Sequence, residues 1–268
     1  MEIIQKIGSM LLLATALAIQ ITGGWALGFA GMEISMRRPN PALALVVVLN
    51  LLAVIFSKKS RAAVSGFMAN LASSRRKHIF FAILIAAIIL LVFAGAAFPE
   101  IGIFDLDRED ALGTYLSGFL LVTASAFAFA GGWLRDERKL RWYIVAGLFA
   151  AMTIDELTSI HESVPRRFEA LGLELSSTGG LVPWTVLLAP VIIAAAAYLL
   201  WFGWKLGKKA RPVAMVGVAC YLAAISLEQL IMGFHIPVAE CVAEESMELV
   251  GSLMFALSFA LSLPEKNR

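Results

Sequence analysis

Apolar residues run through this chain in stretches of about twenty, separated by short polar segments in which lysine and arginine are concentrated. Hydrocarbon cannot satisfy backbone N–H and C=O groups, so such stretches must be helices. Eight are read as transmembrane spans, at about 8–30, 41–57, 78–98, 112–134, 142–163, 181–204, 212–235 and 241–263. The first begins like a signal peptide, with MEIIQK ahead of an apolar run containing Ala14-Thr15-Ala16. It continues to about Ala30, beyond the ~7–15 residues of a signal-peptide core, and is expected to be a retained helix. The expected fold class is all-α, a polytopic transmembrane helix bundle forming a single domain over residues 1–268.

One polar segment carries a pattern of its own. In the linker 58–77, Val64, Phe67, Met68 and Leu71 recur at i, i+3, i+4 and i+7 between basic residues. That spacing predicts an amphipathic cytoplasmic helix, either touching anionic lipid or forming an ordinary loop. The segment 99–110, PEIGIFDLDRED, reads as a solvated acidic connection.

Composition agrees with a membrane protein. Hydrophobic residues make up 60% of the chain and charged residues 16%, against roughly 45–50% and about 25% in soluble domains. Mean hydropathy is +0.82. The net charge of +2 matters less than its distribution. With the N-terminus inside, Arg37, Arg38, Arg108, Arg166 and Arg167 fall outside and the other 17 of the 22 Lys and Arg fall inside, which predicts N-in, C-in. The tryptophans lie near span ends, as interfacial belts require. No basic stripe is interleaved with aromatics, so nucleic-acid binding is not expected. Cys220 and Cys241 sit towards opposite ends of their region, too far apart to bridge, and read as small apolar residues.

Chemistry is confined to the C-terminal half of the chain. Asp155, Glu156, His161 and Glu162 lie in AMTIDELTSIHES, Glu228 and His235 in ISLEQLIMGFH, and Glu240, Glu244, Glu245 and Glu248 in AECVAEESMELVG. Ionisable groups in hydrocarbon are costly and usually face a bundle interior. The expected topology brings all three sets to the outer third of the bilayer. Asp155, Ser159 and Glu162 are predicted to share one helix face, at i, i+4 and i+7. The like-charged stripe of the last span would repel itself without a cation, a proton or a basic partner.

Carboxylates with a few imidazoles suit a divalent metal such as Fe, Mn or Zn. The expected ligands are Asp155, His161, Glu162, Glu228, Glu248 and His235, with Glu156 and Glu245 as spare carboxylates able to serve as a base beside metal-activated water. Competing readings stand beside these. His161 and His235 sit at span ends, where interfacial hydrogen bonding is common. Glu240 and Glu244 suit the first turn of a helix through its macrodipole. The Glu-x-x-His pairs of four-helix di-metal proteins are absent.

On DELTSIHE followed by EESMELVG, the chain resembles bacterial multi-pass inner-membrane proteins that pair a DE-x4-HE helix with a late EE-x2-E-x2-G helix. That resemblance implies location in the bacterial inner membrane and supplies no activity. More loosely it is similar to the membrane hydrolase superfamily of alkaline ceramidases, in span number and in Ser, Asp and His near one face. Their late His-x3-His zinc pair is missing here, where the corresponding helix offers Glu228 and His235, so zinc-amidase activity does not carry over. Three functions remain expected: metal-dependent hydrolysis or oxidation of a lipidic substrate, a cation- or proton-coupled carrier, and an accessory subunit of a membrane complex. Expected partners are membrane lipids and other membrane-protein subunits.

Overall fold

The computed structural model describes residues 25–29, 32–36, 40–73, 75–98, 100–106, 111–160, 183–234 and 239–264. Two strands, β1 (Trp25–Phe29) and β2 (Met32–Met36), precede eight helices among the described residues. These are α1 (Asn40–Phe56), α2 (Lys58–Ser73), α3 (Arg76–Ala97), α4 (Leu112–Trp133), α5 (Lys139–Thr158), α6 (Pro183–Trp204), α7 (Ala210–Phe234) and α8 (Ala239–Ser262). The expected single domain falls by contacts into two compact units, Met1–Val64 and Ser65–Arg268.

In the first unit, β1 and β2 form an antiparallel hairpin whose register runs from Trp25↔Met36 to Phe29↔Met32. The expected first span, 8–30, is corrected at its end, because Trp25–Phe29 is strand. Gly23 and Gly24 precede the strand, and glycine is a poor helix former. Residues 8–24 lie outside the described residues. Helix α1 ends before Ser57, whose hydroxyl accepts the Ser60 N–H at 3.2 Å, a serine cap that starts α2. Arg61 Nη1 donates to the Ile55 carbonyl at 2.7 Å and satisfies the end of α1.

In the second unit, α8 packs against α7, α4 and α3, while α5 lies along α4, and α6 along α7. Small residues allow this closeness. A methyl on Gly131 would stand 2.5 Å from the Trp142 ring, and one on Gly118 would stand 3.2 Å from Leu157. Without a hydrophobic drive between helices in lipid, such close backbone packing is a principal source of association. The core is aromatic: ring centroids of Phe149 and Phe255 are 4.9 Å apart, Phe149 and Phe259 5.5 Å, and Trp142 and Phe202 4.9 Å. Leu106, in the segment expected to be merely solvated, is buried against Gly95 and Gly113.

The apolar faces turned away from this core are bare. On α3, Ile79, Ile83, Ile89, Leu90 and Phe93 are exposed, and on α6 Val191 and Ile193. Within α2, Met68 and Leu71 pack on the core cluster while Phe67 is exposed. Among the described residues, five helices are long and apolar enough to cross a membrane: Arg76–Ala97, Leu112–Trp133, Leu187–Trp204, Ala210–Gln229 and Val242–Ser262. A sixth is added if the bent pair Leu43–Phe56 and Lys58–Ser73 is one broken span. Helix α5, expected as the fifth span, is not among them, since Lys139 and Arg141 begin it and Asp155 and Glu156 lie in its last two turns.

Candidate functional site

The acids of α5, α7 and α8 are brought together by the antiparallel packing of these helices. Phe149 of α5 meets Phe255 of α8, and Trp142 meets Phe259 at 6.0 Å, so the two helices run in opposite directions. Seven residues beyond Phe149 is Glu156, and seven residues before Phe255 is Glu248. Each step is about 10 Å along its helix, so the two acids stand at one level. The α7–α8 pair repeats this arithmetic. The Tyr221 hydroxyl and the Ser252 hydroxyl are 2.5 Å apart. Seven residues past Tyr221 is Glu228, and seven before Ser252 is Glu245.

Tyr221 ties α7 to α8 about two turns from Glu228 and Glu245. Its ring fits because position 251 is glycine: a methyl there would lie 2.9 Å from Tyr221 Cδ2 and 3.0 Å from Cε2. Gly217 makes the matching allowance on α7, where a methyl would lie 3.1 Å from the Phe255 ring and 3.2 Å from the Gly251 carbonyl oxygen. The final glycine of EE-x2-E-x2-G therefore admits the Tyr221 ring. Tyr221 and Ser252 were missed in the sequence because neither is charged. The signal was present in the spacing, since Ser252 lies four and seven residues beyond Glu248 and Glu245, on their helix face.

Asp155, Glu156, Glu228, Glu244, Glu245 and Glu248 are all half-buried. No Lys or Arg occurs between Trp142 and Pro165 or between Pro212 and Pro264, so α5, α7 and α8 supply no cation at this level. His161, Glu162 and His235 lie outside the described residues. Among the described residues no three His, Cys, Asp or Glu side chains stand close enough to hold a metal ion.

One expected feature of the site is corrected. Helix α5 ends at Thr158 rather than at about 163, so Ser159 leaves the helix that carries Asp155, and Glu162 lies outside the described residues. Ser159 adopts φ 49° and ψ 44°, the left-handed region, and its N–H donates to the Asp155 carbonyl at 2.6 Å. The Thr158 hydroxyl donates to the Ile154 carbonyl at 2.6 Å. Adjacent hydroxyl residues offer the backbone alternatives to helix, which is why the apolar run outlasts the helix.

Below the acids the bundle closes. The Thr153, Ser125 and Ser258 hydroxyls each donate to a backbone carbonyl, of Phe149, Ala146 and Phe255. Phe149, Phe255 and Phe259 are almost fully buried in the layer beneath.

Fold and site together define a helical membrane protein with acidic side chains gathered at one end of its bundle. Residues 79–263 match a family described as a domain of unknown function (DUF8692), and the chain belongs to that family. The match covers nearly all of α3 and the whole of α4 to α8, and leaves out the hairpin, α1 and α2. No curated protein and no solved structure matches the chain.

Proposed function

We propose that this chain is a multi-pass protein of the bacterial inner membrane whose acid-bearing end holds a divalent metal ion, Fe, Mn or Zn, on the outer side. The observation that supports the reading is that Glu156 and Glu248 each lie seven residues from the Phe149–Phe255 contact, and Glu228 and Glu245 each seven from the Tyr221–Ser252 contact, at one end of the bundle. Carboxylates at one level of a bundle repel one another, and a bound cation offsets that cost. Glu228 and Glu248 would ligate from α7 and α8, and Asp155 from the end of α5. His161, Glu162 and His235, which adjoin those helix ends in sequence, would complete the ligand set. Glu156 and Glu245 would then act as bases toward a water activated by the metal, with a lipidic substrate arriving from the outer leaflet. The excess of Lys and Arg in the opposite connections supports the orientation.

The carrier reading is weaker. A relay through the membrane needs polar groups beneath the acids, and there the hydroxyls bond to helix carbonyls above a packed aromatic layer.

The test is elemental analysis of the purified full chain beside Glu248→Gln and Glu162→Gln. About one equivalent of metal is expected in the parent and a clear loss in both variants. A parent chain free of stoichiometric metal, purified without chelators, would sink the proposal.

A further inference from the structure

At the end of the bundle opposite the acids, the α4–α5 turn, the last turn of α6 and the end of α8 enclose a cleft of about 680 Å³. Arg135, Arg138, Arg141 and Lys205 line it, with Asp136 and Glu137 on the same rim. Asp136 stands 3.7 Å from Lys139 Nζ, which offsets its charge. The excess in the cleft is therefore positive.

The cations are held in place by their neighbours. The Arg141 guanidinium lies 4.7 Å over the Trp201 ring, and Arg135 lies 4.3 Å over Trp142. Arg135 also donates to the carbonyls of Gly131, at 2.8 Å, and Ser262. Burial pushes its guanidinium below the usual arginine range, the mark of a desolvated cation that gains from a nearby anion. The contact with Trp201 holds the Arg141 guanidinium at the wall of the cleft, where its planar fork of N–H donors suits a phosphate. Helix α5 also begins at this cleft. Arg138 at its N-cap makes no side-chain capping bond and its first turn has no acid, so the positive end of the helix adds to the field.

We propose that this cleft binds the phosphate group of an anionic membrane lipid, with Arg138, Arg141 and Lys205 as donors. Its volume exceeds what a bare phosphate fills and suits a headgroup. Trp201 and Trp204 are exposed beside it, as aromatics at the headgroup level are. Leading away along α6, Ile193, Ala197, Leu200 and Trp204 share one exposed face, an apolar lane for the acyl chains. Basic pockets between spans on the cytoplasmic side are suited to anionic headgroups. The inference is independent of the metal site.

Native mass spectrometry of the full chain in neutral detergent, with phosphatidylglycerol, phosphatidylcholine or inorganic phosphate as the probe, tests it. Phosphatidylglycerol should be retained roughly tenfold more than phosphatidylcholine. The double variant Arg138→Gln with Lys205→Gln should lose that preference. The double variant Lys58→Gln with Lys59→Gln removes equal charge from α2 and should keep it. Arg141→Lys, which keeps the charge but not the planar fork, should weaken retention without altering the melting temperature. Equal retention of the two lipids, or equal loss in both double variants, would overturn the site. Displacement of phosphatidylglycerol by millimolar inorganic phosphate would overturn the lipid as the source of the phosphate.

Discussion

The contact between Tyr221 and Gly251 ties the packing of α7 and α8 to the acids around it. A methyl at position 251 would stand 2.9 Å from the ring, too close for either group to stay where it is. Gly251→Ala is therefore expected to destabilise the protein by about 1–3 kcal/mol through overpacking. Ser252 is fully buried, and Ser252→Ala strands the tyrosine hydroxyl at a cost of about 1–3 kcal/mol. Adding Tyr221→Phe to Ser252→Ala should recover part of that loss, because the stranded group is gone. Denaturation of the single and double variants measures the coupling. Strict additivity would show that the 2.5 Å contact contributes no interaction energy of its own.

Helix α5 shows where an element departs from its hydrophobic pattern. Periodicity carries the apolar run to about residue 163, yet Ser159 at φ 49° ends the helix. A left-handed serine is strained by its Cβ, a penalty glycine avoids. Ser159→Gly is expected to stabilise the fold by up to about 1 kcal/mol, less the entropy that glycine adds to the unfolded chain. Ser159→Val should destabilise it by more than that, since a β-branched residue fits the conformation worst. A melting temperature lowered by Ser159→Gly would count against the strain. The same break takes Ser159 out of the helix that carries Asp155, which local periodicity could not reveal. The helix bounds of α3, α4, α6, α7 and α8 fall within about three residues of the runs expected for them, because in lipid apolar length and helix length are one requirement.

At the scale of the whole molecule, the bundle has two chemically different ends separated by the aromatic layer of Trp142, Phe149, Phe202, Phe255 and Phe259. One end carries glutamates, and the other carries arginines lying over tryptophan rings. A metal held only by the folded acidic end must stabilise the fold by mass action. At a hundred times its dissociation constant it adds about 2.7 kcal/mol. The melting temperature of the parent chain should rise with added Mn2+ or Zn2+, and that of Glu248→Gln should not. A rise of equal size in both would point to binding elsewhere.

Composition and periodicity alone determined that this is a helical membrane protein and where most of its helices lie. These features are local, or follow from counting along regular elements. Tertiary structure decided the rest. It paired Trp25–Phe29 with Met32–Met36, ended α5 at a left-handed serine, and set the Tyr221 hydroxyl against that of Ser252. It also gathered Arg135, Arg138, Arg141 and Lys205 around one cleft. Each of these depends on which helix packs against which, and a glycine such as Gly251 acquires its meaning only from the ring that lies against it.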